Sequence, residues 1–365
     1  MEAKMRVILA GGGTGGHVYP ALAMGDALRE RGHHVEYMGD PDRLEARVAP
    51  ERGYPFHPLR APKYPRGGLS GKARFAFSLL GATFRARGML KSLDAELVLG
   101  VGGYISAPTI LAAWTLGIPR VIHEANLAPG LANRLCAKVA NLVLLTYEQS
   151  GPRLGGSAEK HLVGCPVNPK VLQGDRTESL AHFGLNPEQP VLLMMGGSLG
   201  AATLNAVALA AARMQDRPWQ LLWITGPRYY GEASRDLGAV PPGVALVDYE
   251  NQMGRAYAAA DLVLARAGSS TLSEITALGK PAVLIPSPNV TDNHQEANAR
   301  GLEHLGAVMV FVEKGLDVNR TLDRITQLLR QPSALESMSE ASRAQGKTHV
   351  AEQVAVLLES KFASK

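Results

Sequence analysis

Two glycine-rich turns carry residue types that could do chemistry. GGGTGGH at residues 11–17 runs from an apolar stretch into a helical pattern, and GGSLGA at 196–201 does the same later in the chain. Backbone N–H groups at a helix start, with the positive end of the helix dipole, suit a phosphate group. Each turn is therefore a candidate anion site. The residues concerned are Thr14, Gly15 and Gly16 in the first turn and Ser198 in the second.

His17 directly follows the last glycine of the first turn. An imidazole at this position could take a proton from an attacking hydroxyl, which makes His17 a candidate general base. The alternative is a helix cap or an ordinary surface side chain. The positive end of the helix dipole keeps the imidazole neutral and able to accept a proton, which favours the catalytic interpretation.

Two polar segments in the second half extend the candidate site. RAGSSTLSE at 266–274 places small hydroxyl residues at a helix start and Glu274 about one turn later. This spacing suits a phosphate at the helix start and a carboxylate on ribose hydroxyls, although a capping box with a solvated Glu274 is an equal alternative. PNVTDNHQEANA at 288–299 adds a polar cluster at a loop-to-helix junction, consisting of Asp292, Asn293, His294, Gln295 and Asn298.

A different function can be derived from the same first turn. Gly11, Gly13 and Gly16 satisfy the dinucleotide-binding G-x-G-x-x-G, with Asp40 as a possible ribose ligand. A dehydrogenase is therefore the alternative, but a dehydrogenase does not need two such turns in two similar domains. Asp40-Pro41-Asp42 could also hold a metal-bound nucleotide. It lies away from the second glycine turn, and Asp42 is expected to cap a helix, so we predict no metal site and no cofactor.

The elements that position these residues alternate in the same way in both halves of the chain. Short apolar strands alternate with helical patterns, which is typical of parallel α/β sheets. Strands are predicted at 5–10, 35–38, 97–99, 120–123, 142–145 and 191–195, with a helix over 204–214. We predict an α/β fold with two Rossmann-like, doubly wound domains that face each other across a ligand cleft. The domains are residues 1–164, joined by a C-terminal helix at 341–365, and residues 165–340.

Composition and charge limit the class of protein. The chain has 365 residues, of which 46% are hydrophobic and 19% charged, enough for two cores. We expect a cytoplasmic protein, because no apolar stretch reaches about 18 residues and the start enters a glycine turn where a signal peptide would continue. Cys136 and Cys165 are expected to be packing residues. The net charge of +5 allows an anionic partner.

Residues 63–91 hold the clustered positive charge, interleaved with phenylalanine and leucine. This pattern suits the surface of an anionic bilayer, and the alternative is an ordinary amphipathic helix packed on the first domain. Nucleic acid is not expected, because no stacking platform or recognition module accompanies the charge. The basic residues are Lys63, Arg66, Lys72, Arg74, Arg85, Arg87 and Lys91.

Taken together, six segments resemble one family over nearly the whole chain. The segments are GGTGGHVYPALA (12–23), GVGGYISAP (100–108), HEANLAPGLAN (123–133), GGSLGA (196–201), RAGSSTLSE (266–274) and DNHQEANA (292–299). The family is MurG, the peptidoglycan N-acetylglucosaminyltransferases of glycosyltransferase family 28, which have the GT-B fold. The resemblance implies an inverting, metal-independent transfer from UDP-N-acetylglucosamine to the 4-hydroxyl of N-acetylmuramic acid in undecaprenyl-pyrophosphoryl-muramyl-pentapeptide. It also implies peripheral attachment at the cytoplasmic face of the membrane.

The resemblance also implies roles for single residues. His17 stands at the position of the base, and Glu124 is a second catalytic candidate. The turn of Gly102, Gly103 and Tyr104 would contact the acceptor. The donor would be bound by Thr14, Gly15, Gly16, Asn126, Ser198, Glu250, Ser269, Ser270, Thr271, Leu272, Ser273, Glu274, His294 and Gln295, with Glu274 on the ribose and Gln295 on the sugar hydroxyls.

The chain departs from the family pattern at two positions. Asn168 stands where the family usually has arginine, which puts a donor-phosphate contact there in doubt. Glu250 stands where an apolar residue is usual. That change matters less, because the uracil contact implied at this position uses the backbone.

Overall fold

The computed structural model describes residues 4–62, 69–197, 200–290 and 293–363, and the chain forms two compact units. Unit 1 consists of residues 1–167 together with 349–365, and unit 2 consists of residues 168–348. Among the described helices, none is both long enough and apolar enough to span a bilayer.

Unit 1 is built on a parallel sheet of seven strands, in the order β3-β2-β1-β4-β5-β6-β7. The strands are β1 (Arg6–Ala10), β2 (His34–Gly39), β3 (Phe56–Pro58), β4 (Leu97–Gly100), β5 (Arg120–Glu124), β6 (Leu142–Leu145) and β7 (Glu159–Leu162). The helices are α1 (Gly15–Glu30), α2 (Leu44–Glu51), α3 (Leu69–Ser92), α4 (Ser106–Leu116), α5 (Leu131–Cys136), α6 (Gly151–Leu154) and, from the end of the chain, α15 (Val350–Phe362).

Unit 2 is built on a parallel sheet of six strands, in the order β10-β9-β8-β11-β12-β13. The strands are β8 (Val191–Met195), β9 (Gln220–Ile224), β10 (Val244–Val247), β11 (Leu262–Ala265), β12 (Ala282–Leu284) and β13 (Val308–Val310). The helices are α7 (Arg176–Phe183), α8 (Ala202–Ala212), α9 (Tyr230–Leu237), α10 (Met253–Ala259), α11 (Ser269–Leu278), α12 (His294–Glu303), α13 (Val318–Leu329) and α14 (Pro332–Ala344).

The central strands are buried on both faces, which is why they read as continuous apolar runs in the sequence. Every residue of β4, β6, β8 and β11 is buried. The chain changes direction across the sheet between β1 and β4 in unit 1 and between β8 and β11 in unit 2. Ligands of open α/β sheets bind at such a switch point, beyond the carboxyl ends of the strands. The predicted fold class of two doubly wound parallel sheets is confirmed.

The last helix of the chain belongs to the core of unit 1. Val350, Val354 and Leu358 of α15 are buried in the same apolar cluster as Leu22 and Leu28 of α1. The chain therefore returns to unit 1 after it has passed through unit 2.

Candidate active site

The two glycine turns of unit 1 pack backbone against backbone at the switch point. A Cβ atom on Gly103 would overlap the carbonyl oxygen of Gly12, and a Cβ atom on Gly12 would overlap the carboxylate of Glu45. Gly13 and Gly103 also have φ angles of +91° and +78°, which glycine adopts without strain. Close approach and backbone conformation thus both require glycine here.

Glu45 is fully buried beneath the first turn, and sequence reasoning missed its role. Its Oε2 accepts a hydrogen bond from the Gly13 N–H at 3.0 Å, and its Oε1 accepts one from the Asp40 N–H at 3.1 Å. A buried carboxylate needs such donors, so Glu45 fixes the ends of β1 and β2 relative to each other. The expected cap at Asp42 is wrong. Arg43 occupies the N-cap position of α2 and makes no side-chain cap bond.

His17 lies in the first turn of α1, with its ring against the turn that follows β4. Its Nδ1 is 3.2 Å from Thr14 Oγ1. A Cβ atom on Gly102 would lie 2.8 Å from the imidazole Cδ2 and 3.0 Å from Nε2, and Gly102 has a φ of +94°. Gly102 therefore provides the space that the imidazole occupies. When the proton is on Nδ1 and donated to Thr14, the lone pair of the neutral ring is on Nε2.

Glu124 ends β5 and is buried, with its carboxylate enclosed by donors. Oε1 accepts hydrogen bonds from the Asn126 N–H at 2.9 Å and from Asn126 Nδ2 at 3.4 Å. Oε2 accepts from the Gly130 N–H at 3.2 Å and from Asn133 Nδ2 at 2.9 Å. Burial raises the pKa of Glu124, and these four hydrogen bonds oppose that shift. The carboxylate thus holds the loop between β5 and α5, and its part in proton transfer stays a prediction.

Asn133 lies next to this site and was not among the predicted site residues. Its Nδ2 donates to the His123 carbonyl at 3.0 Å as well as to Glu124, and it would lie 3.6 Å from a Cβ on Gly102. Its Oδ1 is buried without a hydrogen-bond partner among the described residues, as is His123 Nδ1. The only sequence signal was its place at the end of the HEANLAPGLAN segment.

Tyr104 follows the two glycines of the second turn, and its hydroxyl is used within unit 1. It donates to Asp40 Oδ2 at 2.7 Å, and burial, with this hydrogen bond, raises the pKa of the phenol. Asp40 also accepts a hydrogen bond from the Asp42 N–H at 2.9 Å. Within the described ranges, no group of three or more histidine, cysteine or acidic side chains could hold a metal ion.

In unit 2, α11 begins directly after β11, at the switch point of the sheet. Gly268 is its N-cap residue and makes no side-chain cap, so the capping-box alternative is wrong. Ser270 Oγ is buried and has no hydrogen-bond partner in the described part of the chain. Ser273 Oγ turns back to the Ser269 carbonyl at 2.9 Å, and Leu272 is buried. Of this run, Ser270 therefore supplies a side-chain group that lacks a partner.

Glu274 lies on the second turn of α11 and is partly buried. Its Oε2 accepts a hydrogen bond from the hydroxyl of Tyr257 in α10 at 2.7 Å. Burial raises the pKa of Glu274 to about 7, and the Tyr257 hydrogen bond opposes the rise. Tyr257 was not predicted as a site residue.

The remaining donor candidates lie on loops and helix ends of unit 2. Gln295 Oε1 accepts from the Ser287 N–H at 2.8 Å, which orients its amide at the start of α12, and His294 is the first residue of that helix. Glu250 Oε1 accepts from the Gln252 N–H at 2.5 Å. Asn168 Oδ1 accepts from the Lys170 N–H at 3.0 Å and caps the short 3-10 helix Pro169–Leu172. Ser198 and Asp292 lie outside the described residues.

Arg266 precedes α11, and its side chain makes its contacts within unit 2. Its guanidinium donates to the carbonyl of Ile285 at 2.9 Å and pairs with Glu313. Glu313 also accepts a hydrogen bond from Thr203 at 2.5 Å. The side chain of Arg266 thus braces the turn, and the backbone that follows it forms the start of α11.

A cavity of about 470 Å³ in unit 2 lies near the residues that precede β11 and β12, at the opposite sheet edge from the glycine turns. Arg176 pairs there with Asp261 at 2.9 Å and donates to the Ala259 carbonyl at the end of α10. Lys280 donates to the Ala260 carbonyl at 2.7 Å. Both cations donate hydrogen bonds to carbonyl groups at the C-terminal end of α10, where positive charge is stabilising. We therefore assign no ligand to this cavity.

The fold and the four turns at its two switch points define the GT-B class of glycosyltransferases. The chain belongs to glycosyltransferase family 28: the N-terminal domain of that family matches residues 7–145 and the C-terminal domain matches residues 191–354.

Individual relatives match over nearly the whole chain. The UDP-N-acetylglucosamine--N-acetylmuramyl-(pentapeptide) pyrophosphoryl-undecaprenol N-acetylglucosamine transferase of Halothermothrix orenii is 37% identical, covering 94% of this chain and 95% of the relative. The transferase of the same name from Salinibacter ruber is 37% identical, covering 96% and 95%. The crystal structure of Acinetobacter baumannii MurG superposes with a TM-score of 0.76 at 28% identity, covering 98% of this chain and 99% of that one.

Proposed function

We propose that this protein transfers N-acetylglucosamine from UDP-N-acetylglucosamine to the 4-hydroxyl of N-acetylmuramic acid in undecaprenyl-pyrophosphoryl-muramyl-pentapeptide, with inversion at the anomeric carbon. The names of the two curated relatives support this donor and this acceptor. The structural observation that carries the proposal is the start of α11. There the buried Ser270 hydroxyl, which has no hydrogen-bond partner among the described residues, and the Glu274 carboxylate occupy one helix.

The donor would be bound by unit 2. The first N–H groups of α11 and the Ser270 hydroxyl suit a diphosphate. Glu274 follows the helix start by five residues, which is about 7.5 Å along the axis at 1.5 Å per residue. That distance fits a ribose attached to the bound phosphate. Gln295 and His294 would contact the sugar hydroxyls, Glu250 the uracil through its backbone, and the glycine turn with Ser198 the diphosphate.

The acceptor would be activated by unit 1. With the Nδ1 proton donated to Thr14, His17 Nε2 takes the proton of the 4-hydroxyl. The hydroxyl oxygen attacks the anomeric carbon, and the bond from that carbon to the UDP oxygen breaks. UDP leaves with the electron pair and is stabilised by the N–H groups of unit 2. Glu124 and Asn126 hold the loop beside this site, and the turn of Gly102, Gly103 and Tyr104 lines it.

Attachment to an anionic membrane surface is the second part of the proposal. Phe77, Leu80 and Phe84 of α3 are 75%, 56% and 72% exposed, and their spacing places them on one face of the helix. Lys72 and Arg74 are exposed on the same helix. Exposed aromatic and basic side chains on one helix are typical of interfacial binding. This supports a peripheral site at the cytoplasmic face of the membrane, where a lipid-linked acceptor is found.

Not all of the basic residues of segment 63–91 point away from the protein. Arg85 donates to the Arg60 carbonyl at 3.2 Å, and Arg87 donates to the Thr115 carbonyl at 2.7 Å. Lys63 and Arg66 lie outside the described residues. The alternative of an ordinary packed helix thus describes the face with Ala82, Ala86 and Leu90, which are buried. The membrane proposal concerns the face with Phe77, Leu80 and Phe84, together with the exposed first turns of the helix that carry Lys72 and Arg74.

A ligand panel followed by a transfer assay tests the proposed function. UDP and UDP-N-acetylglucosamine should raise the melting temperature, and NAD should not, because a ligand that binds only the folded state stabilises it by RT ln(1 + [L]/Kd). With a lipid-linked muramyl-peptide present, UDP should be released in the presence of EDTA. Stabilisation by NAD alone would favour a dehydrogenase. Conversion of UDP-N-acetylglucosamine without an acceptor would favour an epimerase.

A further inference from the structure

Tyr257 and Glu274 flank β11, on the helix before it and the helix after it. Tyr257 lies in α10 and is fully buried, whereas Glu274 is only partly buried in α11. The 2.7 Å hydrogen bond between the phenol and Oε2 joins the two helices. Burial beside the Glu274 carboxylate raises the pKa of Tyr257 well above its usual value, so the phenol stays a neutral donor.

The two oxygens of Glu274 have different environments. Oε2 is bound by Tyr257, and no residue in the described ranges donates to Oε1. A carboxylate side chain has several rotamers, and a fixed hydrogen bond to one oxygen selects among them. The hydrogen bond to Oε2 thus directs Oε1 without occupying it.

We propose that Tyr257 is a positioning residue that fixes Glu274 through Oε2, so that Oε1 is held ready to accept hydrogen bonds from the ribose hydroxyls of the nucleotide. The proposal rests on the proposed function, which places the ribose at Glu274. Because Tyr257 is buried behind Glu274, it acts on the nucleotide only through that carboxylate. Preorganisation of this kind increases affinity by reducing the ordering needed on binding.

The test compares UDP with 2′,3′-dideoxy-UDP, which lacks both ribose hydroxyls, by calorimetry on the full chain. In Tyr257→Phe, the Kd for UDP should rise about 5- to 20-fold. The Kd for the dideoxy analogue should stay within about twofold of wild type. The preference for ribose should therefore shrink in the variant, which a general loosening of unit 2 would not produce, since looseness would weaken both ligands.

Two control variants separate this inference from its premise. Tyr54→Phe removes a buried tyrosine hydroxyl that donates to Asp26 at 2.5 Å in unit 1, and it should leave both Kd values unchanged. Glu274→Ala should abolish the preference for ribose. If it does not, or if wild type fails to bind UDP, the donor site itself is misassigned and the inference falls with it. If Glu274→Ala reduces the preference and Tyr257→Phe does not, the inference alone is wrong.

A structure of the wild-type protein with UDP provides a measurement that does not depend on folding of the variant. Tyr257 Oη should remain within hydrogen-bond distance of Oε2 while Oε1 contacts the ribose. A complex in which Glu274 has turned away from Tyr257 to reach the nucleotide would overturn the proposal.

Discussion

Glu359 in α15 accepts a hydrogen bond from His33 Nε2 at 2.7 Å, although 326 positions separate the two residues in sequence. The Met5 N–H donates to His33 Nδ1 at 3.1 Å, so the ring proton is on Nε2, from which it is donated to the carboxylate. Arg31 Nε donates to the other carboxylate oxygen at 2.7 Å. One acidic side chain thus attaches the end of the chain to the β2 side of unit 1.

The first prediction concerns this attachment and its pH dependence. The hydrogen bond from Arg31, with burial opposing, lowers the pKa of Glu359. A carboxyl group with a lowered folded-state pKa stabilises the fold above its unfolded pKa of about 4.3, and this contribution is lost as the pH falls through the folded value. Glu359→Gln should therefore lower the free energy of opening α15 by about 1–3 kcal/mol at pH 7, and by less near pH 4.

Hydrogen exchange of the α15 amides measures this free energy at both pH values. Glu159→Gln is the matched control, because Glu159 pairs with Lys361 of the same helix at 2.5 Å but is exposed. Exposed pairs contribute little, so the control should not change exchange measurably. An equal effect of Glu359→Gln at pH 7 and pH 4 would refute the assigned role of its charge.

The second prediction tests the space that Gly102 leaves for His17. In Gly102→Ala, the new Cβ would meet the imidazole at 2.8–3.0 Å, closer than side-chain carbon atoms pack. The ring should be displaced, and kcat should fall about 10- to 100-fold, because even small displacements of a catalytic group slow the reaction. Affinity for UDP should stay unchanged, because the residues that we propose to bind the uridine and the diphosphate lie in unit 2.

Backbone strain needs a separate control, since Gly102 also has a positive φ. Gly117 has a φ of +72°, and the Cβ of an alanine there would have no atom within 4 Å, so Gly117→Ala shares the strain without the contact. It should leave kcat nearly unchanged after correction for folded fraction. Equal losses in the two variants would attribute the effect to strain rather than to His17.

Several of the strands that are buried on both faces were predicted from the sequence, although the equally buried β9 was not. β1, β4, β6 and β8 were predicted within one residue of their observed ends, because buried parallel strands are apolar runs between turn residues. The edge strands β3 and β7 were not predicted. Their sequences, FHP and EKHL, are half-buried or exposed and carry no apolar pattern.

The glycine turns of the candidate site were predictable from the sequence, and the contacts made by tertiary packing were not. Gly12, Gly102 and Gly103 stand out in the sequence because each lies in a cluster of glycines. Glu45 and Tyr257 do not, since each acts on a residue in another element that local spacing does not relate to it. Their partners could be identified only after the fold had brought Glu45 beneath the turn that follows β1 and Tyr257 beside Glu274.

The third prediction concerns the membrane surface. The protein should bind vesicles rich in anionic lipid and be released as salt rises, because each Lys or Arg near the surface contributes about 1 kcal/mol that salt screens. Phe77→Ser with Phe84→Ser should weaken binding at every salt concentration, since it removes exposed apolar area. Lys72→Glu with Arg74→Glu should weaken binding mainly at low salt.

Vesicle sedimentation over a salt series distinguishes these effects. Arg213→Glu is a control from unit 2, because its guanidinium donates to the Asp236 carbonyl and not to any part of α3. If changes at all four α3 positions leave vesicle binding unaffected, this part of α3 is an ordinary solvent-exposed surface and does not bind the membrane.

The last prediction concerns His17 as the base. Proton transfer by a positioned side chain contributes about 10²–10⁴-fold, so His17→Ala should lower kcat by about that factor and leave UDP affinity nearly intact. Activity of the wild type should rise with pH as the imidazole loses its proton, and the variant should lose this limb. Thr14→Val should lower kcat to a smaller extent, because it removes the hydroxyl that would accept the Nδ1 proton and so direct the lone pair to Nε2. A variant at His17 that loses donor affinity with little change in kcat would make His17 a phosphate or capping residue, and the base would then be sought at Glu124.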